Sequence, residues 1–250
     1  MPPAADCDST LRGDTCHTIR DAGISRSMKL RVAALWRYPV KSMAGESLTS
    51  AEITTDGIPG DRLVHVRGPE GLRTARRHYR LLGLKGTLSA DGHALVNGLP
   101  WDSAGALALV KDAAGDDAWL ADYDGPERFD VLPLLVATDG AVAAFGRDVR
   151  RLRPNVLIEG VDGMDERSWP GAALHIGGSG KGADVVIRLD TLRGRCAMTI
   201  VDPDTLVRDG EVLRDIGRRF GGKLALNADV TRPGTVHVGD AVRVVHGHTP

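Results

Sequence analysis

The chain has 250 residues, 42% hydrophobic and 26% charged, which allows an apolar core and is ordinary for a globular protein. Lys and Arg number 32 against 33 Asp and Glu, a formal charge of -1, so the overall balance gives no case for a nucleic-acid or membrane-surface partner. Aromatics are scarce at 4%, so the core must come from Val, Leu, Ile and Ala, and the longest apolar run, Val131 to Ala137, is too short to span a bilayer.

Residues 1–28 are polar, aperiodic and lack the charged-then-apolar plan of a signal peptide. They are expected to be a disordered or non-native extension, with Met28 as an alternative start; an ordered extension is the other reading. Patterned sequence begins at Lys29. Leu30 to Tyr38 reads as a strand closed by Pro39, and Ser47 to Thr54 as a strand ending in the turn Asp56 to Gly60. Leu63 to Arg67 is a short strand before the turn Gly68 to Gly71, and His93 to Val96, Ala106 to Val110 and Phe129 to Val136 are further strand candidates. Asp139 to Leu152 reads as a helix with Arg147, Arg150 and Arg151 near its C-terminal end, where the dipole favours cations. Strand-like runs follow at Asn155 to Glu159, Ala172 to Ile176 and Ala183 to Thr191. Asp209 to Phe220 has helical spacing and stops at Gly221-Gly222. Leu224 to Val230 and Thr235 to Val245 close the chain as strands around a turn at Val238 to Asp240. The expected fold is mainly β (α+β), with barrel-like sheets and few helices. An Ala, Gly and Asp-rich stretch at 112–128 suggests two units, 29–120 and 121–250.

The chemistry concentrates at few places. Cys7, Cys16 and Cys196 are an odd, sparse set, so no disulfide framework is implied and a reducing cytoplasm fits best. Cys196 alone lies in patterned sequence, flanked by Arg193 and Arg195, which favour the thiolate that ligates metals or attacks electrophiles. Gly194 lets the backbone pass close to a ligand. A buried structural cysteine is the alternative. Lys41-Ser42, Arg62 and Arg153-Pro154-Asn155 each set cationic or polar groups beside a Pro or Gly, as phosphate-binding loops do, although each alone is more often a solvated surface charge. The basic run Arg73 to Arg80 could grip RNA, line an anionic pocket or be solvated. Histidine spacing suggests no zinc site, and no Walker, Gly-x-Ser-x-Gly or Rossmann motif occurs.

Taken in order, these pieces resemble a family. Tyr38-Pro39-Val40-Lys41-Ser42, Gly57-x-x-Gly60-Asp61-Arg62 and Thr74-Ala75-Arg76 resemble the MOSC N-terminal β-barrel domain. Arg153-Pro154-Asn155-Val156, Arg195-Cys196-x-x-Thr199-x-Val201-Asp202-Pro203 and Pro233-Gly234-Thr235-x-x-Val238-Gly239-Asp240 resemble the MOSC domain, named for the C-terminal part of molybdenum cofactor sulfurase. The two-domain plan is similar to that of the amidoxime-reducing members. The resemblance implies a molybdenum cofactor with Cys196 as metal ligand, and contacts from Lys41, Ser42, Arg62, Arg153, Asn155, Gly194 and Arg195. Asn227 stands where eukaryotic members carry a tyrosine, and Val131-Leu132-Pro133 replaces a Thr-Ser-Pro, leaving backbone contacts only. The implied activity is reduction of small N-hydroxylated or N-oxygenated compounds. Electrons would come from a separate donor system, flavin plus haem or iron–sulfur, since no such site is present in the sequence. The alternative implied role is cofactor carriage or sulfur transfer, with persulfide on Cys196, beside a pyridoxal-phosphate desulfurase. Neither reading involves nucleic acid or a membrane.

Overall fold

The structure, a computed structural model, describes residues 29–123, 125, 128–177 and 184–247. The expectations for residues 1–28, including Cys7, Cys16 and Met28, and for Ala183 lie outside them. In chain order the strands are β1 (Arg31–Arg37), β2 (Glu46–Leu48), β3 (Ser50–Ile53), β4 (Val64–Gly68), β5 (Gly71–Arg73), β6 (Gly86–Leu88), β7 (Ala94–Val96), β8 (Leu99–Pro100), β9 (Trp119–Asp122), β10 (Leu134–Thr138), β11 (Val156–Glu159), β12 (Ala173–Ile176), β13 (Val185–Gly194), β14 (Lys223–Arg232), β15 (Gly234–His237) and β16 (Val242–Val245). The helices are α1 (Ala104–Ala114), α2 (Asp139–Phe145) and α3 (Gly210–Phe220). The fold is mainly β.

Eight strands form one sheet in the order β16-β12-β13-β14-β10-β11-β1-β2. Only β10 and β11 run parallel; the other neighbours are antiparallel. β1 pairs with β11, and β3 pairs with β15, so strands from both ends of the sequence close one body. Its core joins Val32, Leu35 and Ile53 to Leu134, Ile158, Leu174, Ile187 and Leu226. A second, smaller core gathers Val40, Met43, Val64, Leu81, Val96 and Val110 beneath the sheets β5-β4-β9 and β6-β7-β8 and helix α1. Helices α2 and α3 pack Phe145, Val212, Ile216 and Phe220 into a third cluster with Leu152 and Leu224.

Most of the expected elements fall within a few residues of their bounds; three do not, and the short strands β5, β6, β8 and β9 match no expected element. Ala106 to Val110 is part of α1, not a strand. A short apolar run does not separate the two states, and here the Ala and Leu content favours helix while Ser103 accepts a hydrogen bond from the Ala106 N–H as N-cap. The helix beginning at Asp139 ends at Phe145, because Gly146 takes a left-handed φ of 66° and caps it; Val149–Arg151 is a separate 3-10 turn. Phe129 to Val136 is strand only from Leu134 onward, and its first half is a loop. Among the described residues no helix is long and apolar enough to cross a membrane.

One buried charge lies beneath the β10–α2 junction. Thr138 caps α2 by accepting from the Ala141 N–H at 3.2 Å, and donates its hydroxyl to Glu166 at 2.5 Å. Glu166 is fully buried, and burial pushes its carboxyl above its ordinary range despite that hydrogen bond. Both states are protonated below the unfolded value, so the burial cost is absent there. As pH rises through the raised folded value, the unfolded chain ionises freely and the folded one does not, so stability falls. Glu166→Gln is expected to stabilise the protein more at pH 8 than at pH 4.5 in denaturant titrations. An equal change at both would show that Glu166 ionises without penalty.

Candidate functional site

Three loops from distant parts of the chain meet at one carboxylate. Asp61 is completely buried. Its Oδ1 accepts the Tyr38 N–H at 2.6 Å, and its Oδ2 accepts from the Arg62 guanidinium and, at 3.3 Å, from Asn155 Nδ2. Arg62 N–H donates back to the Tyr38 carbonyl at 2.8 Å, and Lys41 N–H to the Val64 carbonyl at 2.8 Å. These bonds clip the loop after β1 to the turn before β4. That turn needs its glycine: Gly60 has a φ of 82°, and a Cβ there would lie 2.4 Å from Leu88 Cδ1. Asn155 ties in the third loop. It also accepts from the Leu135 N–H at 3.1 Å, and its Nδ2 reaches the Trp36 carbonyl at 3.3 Å.

The Tyr38 ring carries a guanidinium on each of two sides, Arg153 at 4.2 Å and Arg62 at 5.1 Å from its centroid. Its hydroxyl donates to the Pro154 carbonyl at 3.0 Å, and burial pushes its pKa up to about 12, so it stays a donor at neutral pH. Ser42, Arg62 and Arg153 all adopt left-handed backbone, with φ of 72°, 57° and 58°. Such values are uncommon for residues with a side chain and gather where surrounding structure enforces them, functional sites above all.

The fourth segment leaves the end of β13. Arg195 N–H donates to the Gly222 carbonyl at 2.9 Å, and the Cys196 carbonyl accepts from Thr199 N–H and Oγ1 at 3.0 and 2.8 Å. This fixes the half-buried Cys196 at the start of the 3-10 turn Ala197–Ile200, with its sulfur free of any disulfide. A Cβ built on Gly194 meets no atom within 4 Å, so the space beside it is open.

Around these segments lies a cavity of about 820 Å³ with an open mouth. Lys41, Ser42, Arg62, Arg153, Asn155, Gly194, Arg195, Cys196 and Asn227 all line it, although nearly two hundred residues of sequence separate the first from the last. The side-chain amides of Asn155 and Asn227 are engaged by protein. Asn227 accepts from Arg193 at 3.3 Å and donates to Thr191 at 3.1 Å. Thr74, Arg76, Phe129, Val131, Leu132, Arg151 and Arg193 add to the wall. The basic run from Arg73 thus contributes two members to the cavity, Thr74 and the cationic Arg76. Arg73 and Arg80 instead pair with Asp117 and Asp112 outside it.

Two residues that sequence reasoning left out organise the charge. Asp61 lies in the expected Gly60-Asp61-Arg62 motif but reads there as a spacer. Asp130, in a stretch read as a strand, is the one carboxylate among the described lining residues. It pairs with Lys41 at 3.2 Å, Arg76 at 2.9 Å and Arg193 at 2.8 Å. Burial opposes its ionisation, but Lys41 and Arg76 outweigh that and hold its carboxyl below the ordinary range. Burial also draws the Lys41 ammonium down, with Asp130 opposing.

Arg153 and Arg195 differ from these cations. Among the described residues neither has a carboxylate in salt-bridge range; Arg153 donates to the Met43 carbonyl at 2.6 Å and Arg195 to the Leu152 carbonyl at 2.7 Å. Burial draws both guanidiniums down to about 10, and the buried Arg195 Nε has no hydrogen-bond partner. Seven cationic side chains and one carboxylate line the cavity. Such an arrangement suits a multiply charged anion. Among the described residues no group of three His, Cys, Asp or Glu side chains could hold a metal ion, so any metal here needs ligands beyond the protein's own.

Residues 29–126 match the MOSC N-terminal beta barrel domain, and residues 140–243 match the MOSC domain. Mitochondrial amidoxime-reducing component 1 of Homo sapiens is 27% identical over an alignment covering 84% of this chain and 82% of its own length. Mitochondrial amidoxime reducing component 2 of Macaca fascicularis is 26% identical, covering 71% and 68%. Among solved structures, the YUAD protein from Bacillus subtilis aligns over 87% of this chain and 96% of its own with a TM-score of 0.45 at 14% identity.

Asp61→Ala is expected to cost about 3–5 kcal/mol in denaturant titrations, since it strands a guanidinium and two N–H donors in the interior. Asp130→Ala, whose carboxylate is one-third exposed, should cost much less, about 1 kcal/mol. The reverse order would refute the role given to Asp61.

Proposed function

The chain belongs to the MOSC family, and we propose that it is a molybdenum-cofactor-binding oxidoreductase that reduces small N-hydroxylated or N-oxygenated compounds, with Cys196 as the protein's ligand to the metal. The observation that carries this reading is the pair of half-buried guanidiniums without carboxylates, Arg153 and Arg195, beside the partly exposed Cys196. The cofactor offers a dithiolene, a pterin and a phosphate. The residues present fit it: the orphaned Arg195 Nε and the surplus of cations suit its negative charge, and a soft thiolate suits its metal. The names of the amidoxime-reducing relatives support the substrate class.

In this reading Arg62, Arg153 and Arg195 bind the anionic part of the cofactor, with Lys41 and Ser42 at the same wall. Gly194 leaves room for it, and Asn227 orients Arg193. Cys196 supplies sulfur to the metal from a fixed backbone, and Arg76, which faces both Cys196 and Asp130, holds positive charge beside that sulfur. The Tyr38 hydroxyl, turned onto Pro154, acts as a brace and not as an acid. When bound, the cofactor supplies two-electron removal of oxygen from nitrogen. The N–O bond breaks and the oxygen leaves as water, consuming two electrons and two protons, so a separate flavin plus haem or iron–sulfur donor is required. With the units taken as 29–120 and 121–250, the cavity would draw its wall from both, a common arrangement for small-molecule sites. A reducing compartment such as the cytoplasm keeps Cys196 a thiol.

Protein from a host able to make the cofactor is expected to carry molybdenum and to reduce an N-hydroxylated amidine with reduced viologen dye. Cys196→Ala should fold normally, keep part of its bound pterin and lose turnover to background, while Cys7→Ala and Cys16→Ala turn over at the wild-type rate. Full turnover by Cys196→Ala would remove the thiolate from the mechanism. Wild-type protein that holds molybdenum and reduces nothing would favour carriage or sulfur transfer.

A further inference from the structure

A second cavity, of about 1050 Å³, lies against the first and has no part in the function proposed above. Arg151, Arg153 and Met198 line both and form the partition between them. The second cavity differs in chemistry. Trp36, Leu82, Met198, Val201 and Pro203 give it apolar surface. Its one carboxylate among the described lining residues, Glu46, is already neutralised by Arg37 at 2.8 Å and also accepts the Leu88 N–H at 3.1 Å. Two of its cations are satisfied: Arg150 by Asp148 and Asp204, and Arg151 by Asp202. Lys85, exposed on the wall contributed by the smaller unit, makes no ion pair among the described residues, and Arg153 has none either.

We propose that this cavity is a second binding site, for a small organic anion with a flat apolar body, of the aromatic carboxylate class. Three features select that chemistry. The apolar lining rewards a hydrophobic body, since each square ångström removed from water contributes about 25 cal/mol. The half-buried Trp36 indole lines the cavity, and indole favours contact with a planar ring. Lys85 is an unpaired positive charge that a carboxylate can meet, whereas a cation would meet repulsion from Lys85 and Arg153 and find Glu46 already occupied. A neutral aromatic gains the apolar contact without the charge, and a small inorganic anion the charge without the contact. The site therefore discriminates on both counts, unlike the cofactor cavity, whose seven cationic side chains suit phosphate.

The test uses the full-length protein as purified and titrates it calorimetrically with 2-naphthoate, with 2-naphthylmethanol as the neutral isostere and with inorganic phosphate. One equivalent of naphthoate is expected to bind, at least tenfold more tightly than the neutral isostere. Lys85→Glu, an exposed residue outside the cofactor cavity, should weaken naphthoate at least tenfold without affecting phosphate. Ser47→Trp, at the exposed rim, should block naphthoate while circular dichroism and melting temperature stay unchanged. The proposal is overturned if naphthoate does not bind, if the isostere binds equally well, or if Lys85→Glu binds naphthoate as wild type does. It is equally overturned if phosphate displaces naphthoate one for one while Ser47→Trp has no effect, because naphthoate would then occupy the cofactor cavity. Each of these outcomes is independent of whether the reductase activity is found.

Discussion

The Asp61 carboxylate is the constraint on which the rest of the site depends. Its two oxygens accept from a backbone N–H, a guanidinium and an amide that belong to three separate loops. A buried charge is costly unless every lone pair is matched, and here the matching groups are the very segments that carry Lys41, Ser42, Arg62, Arg153 and Asn155. The loops have little regular structure of their own. They hold position because each completes the solvation of one ion in the interior.

That anchor makes the remaining charge tolerable. Cations crowd the cavity, and a cluster of that kind repels itself. The structure answers in two ways. Asp61 and Asp130 absorb four of the positive side chains through short ion pairs, and backbone carbonyls at the ends of the Arg153 and Arg195 side chains hold the two that lack one. The strained backbone at Ser42, Arg62 and Arg153 belongs to the same arrangement, because left-handed φ values turn these residues toward the cavity at a local cost that the anchored loops bear. A site organised before its ligand arrives loses less on binding it.

Much of this was legible in the sequence. Period-two runs with Gly and Pro between them located most of the strands but not the short β5, β6, β8 and β9, and α3 was readable from its Asp209 cap, its Val212 and Ile216 spacing and its Gly221 stop. The cavity residues were legible as motifs, because Pro39, Gly60 and Pro154 mark where the chain must turn beside a cation. Three further things were not. The Ala and Leu run of α1 carries no periodicity long enough to separate helix from strand. Asp130 lies in a segment whose apolar residues suggest a strand, and nothing local shows that three cations from elsewhere converge on it. Asp61 looks like a spacer, since its importance comes from partners at Tyr38 and Asn155, 23 and 94 residues away. Long-range convergence leaves no trace in a short window, whereas caps and turns do.

The strand pairings impose an order on how the protein can be made. β1 is the first described strand to emerge from a ribosome, yet its inner neighbour β11 follows more than a hundred residues later, and β3 must wait for β15, further on still. Until then Val32, Leu35 and Ile53 have no core to enter. The smaller sheet pairs of β4 with β5 and β6 with β7 are local and can form on the emerging chain. Nascent chains of this topology therefore carry an apolar strand β1 whose one local partner is the short β2, and the cavity, whose wall includes Asn227, cannot exist until β14 has been made. A ligand of this cavity must meet a chain already made through β14, not one still building its first half.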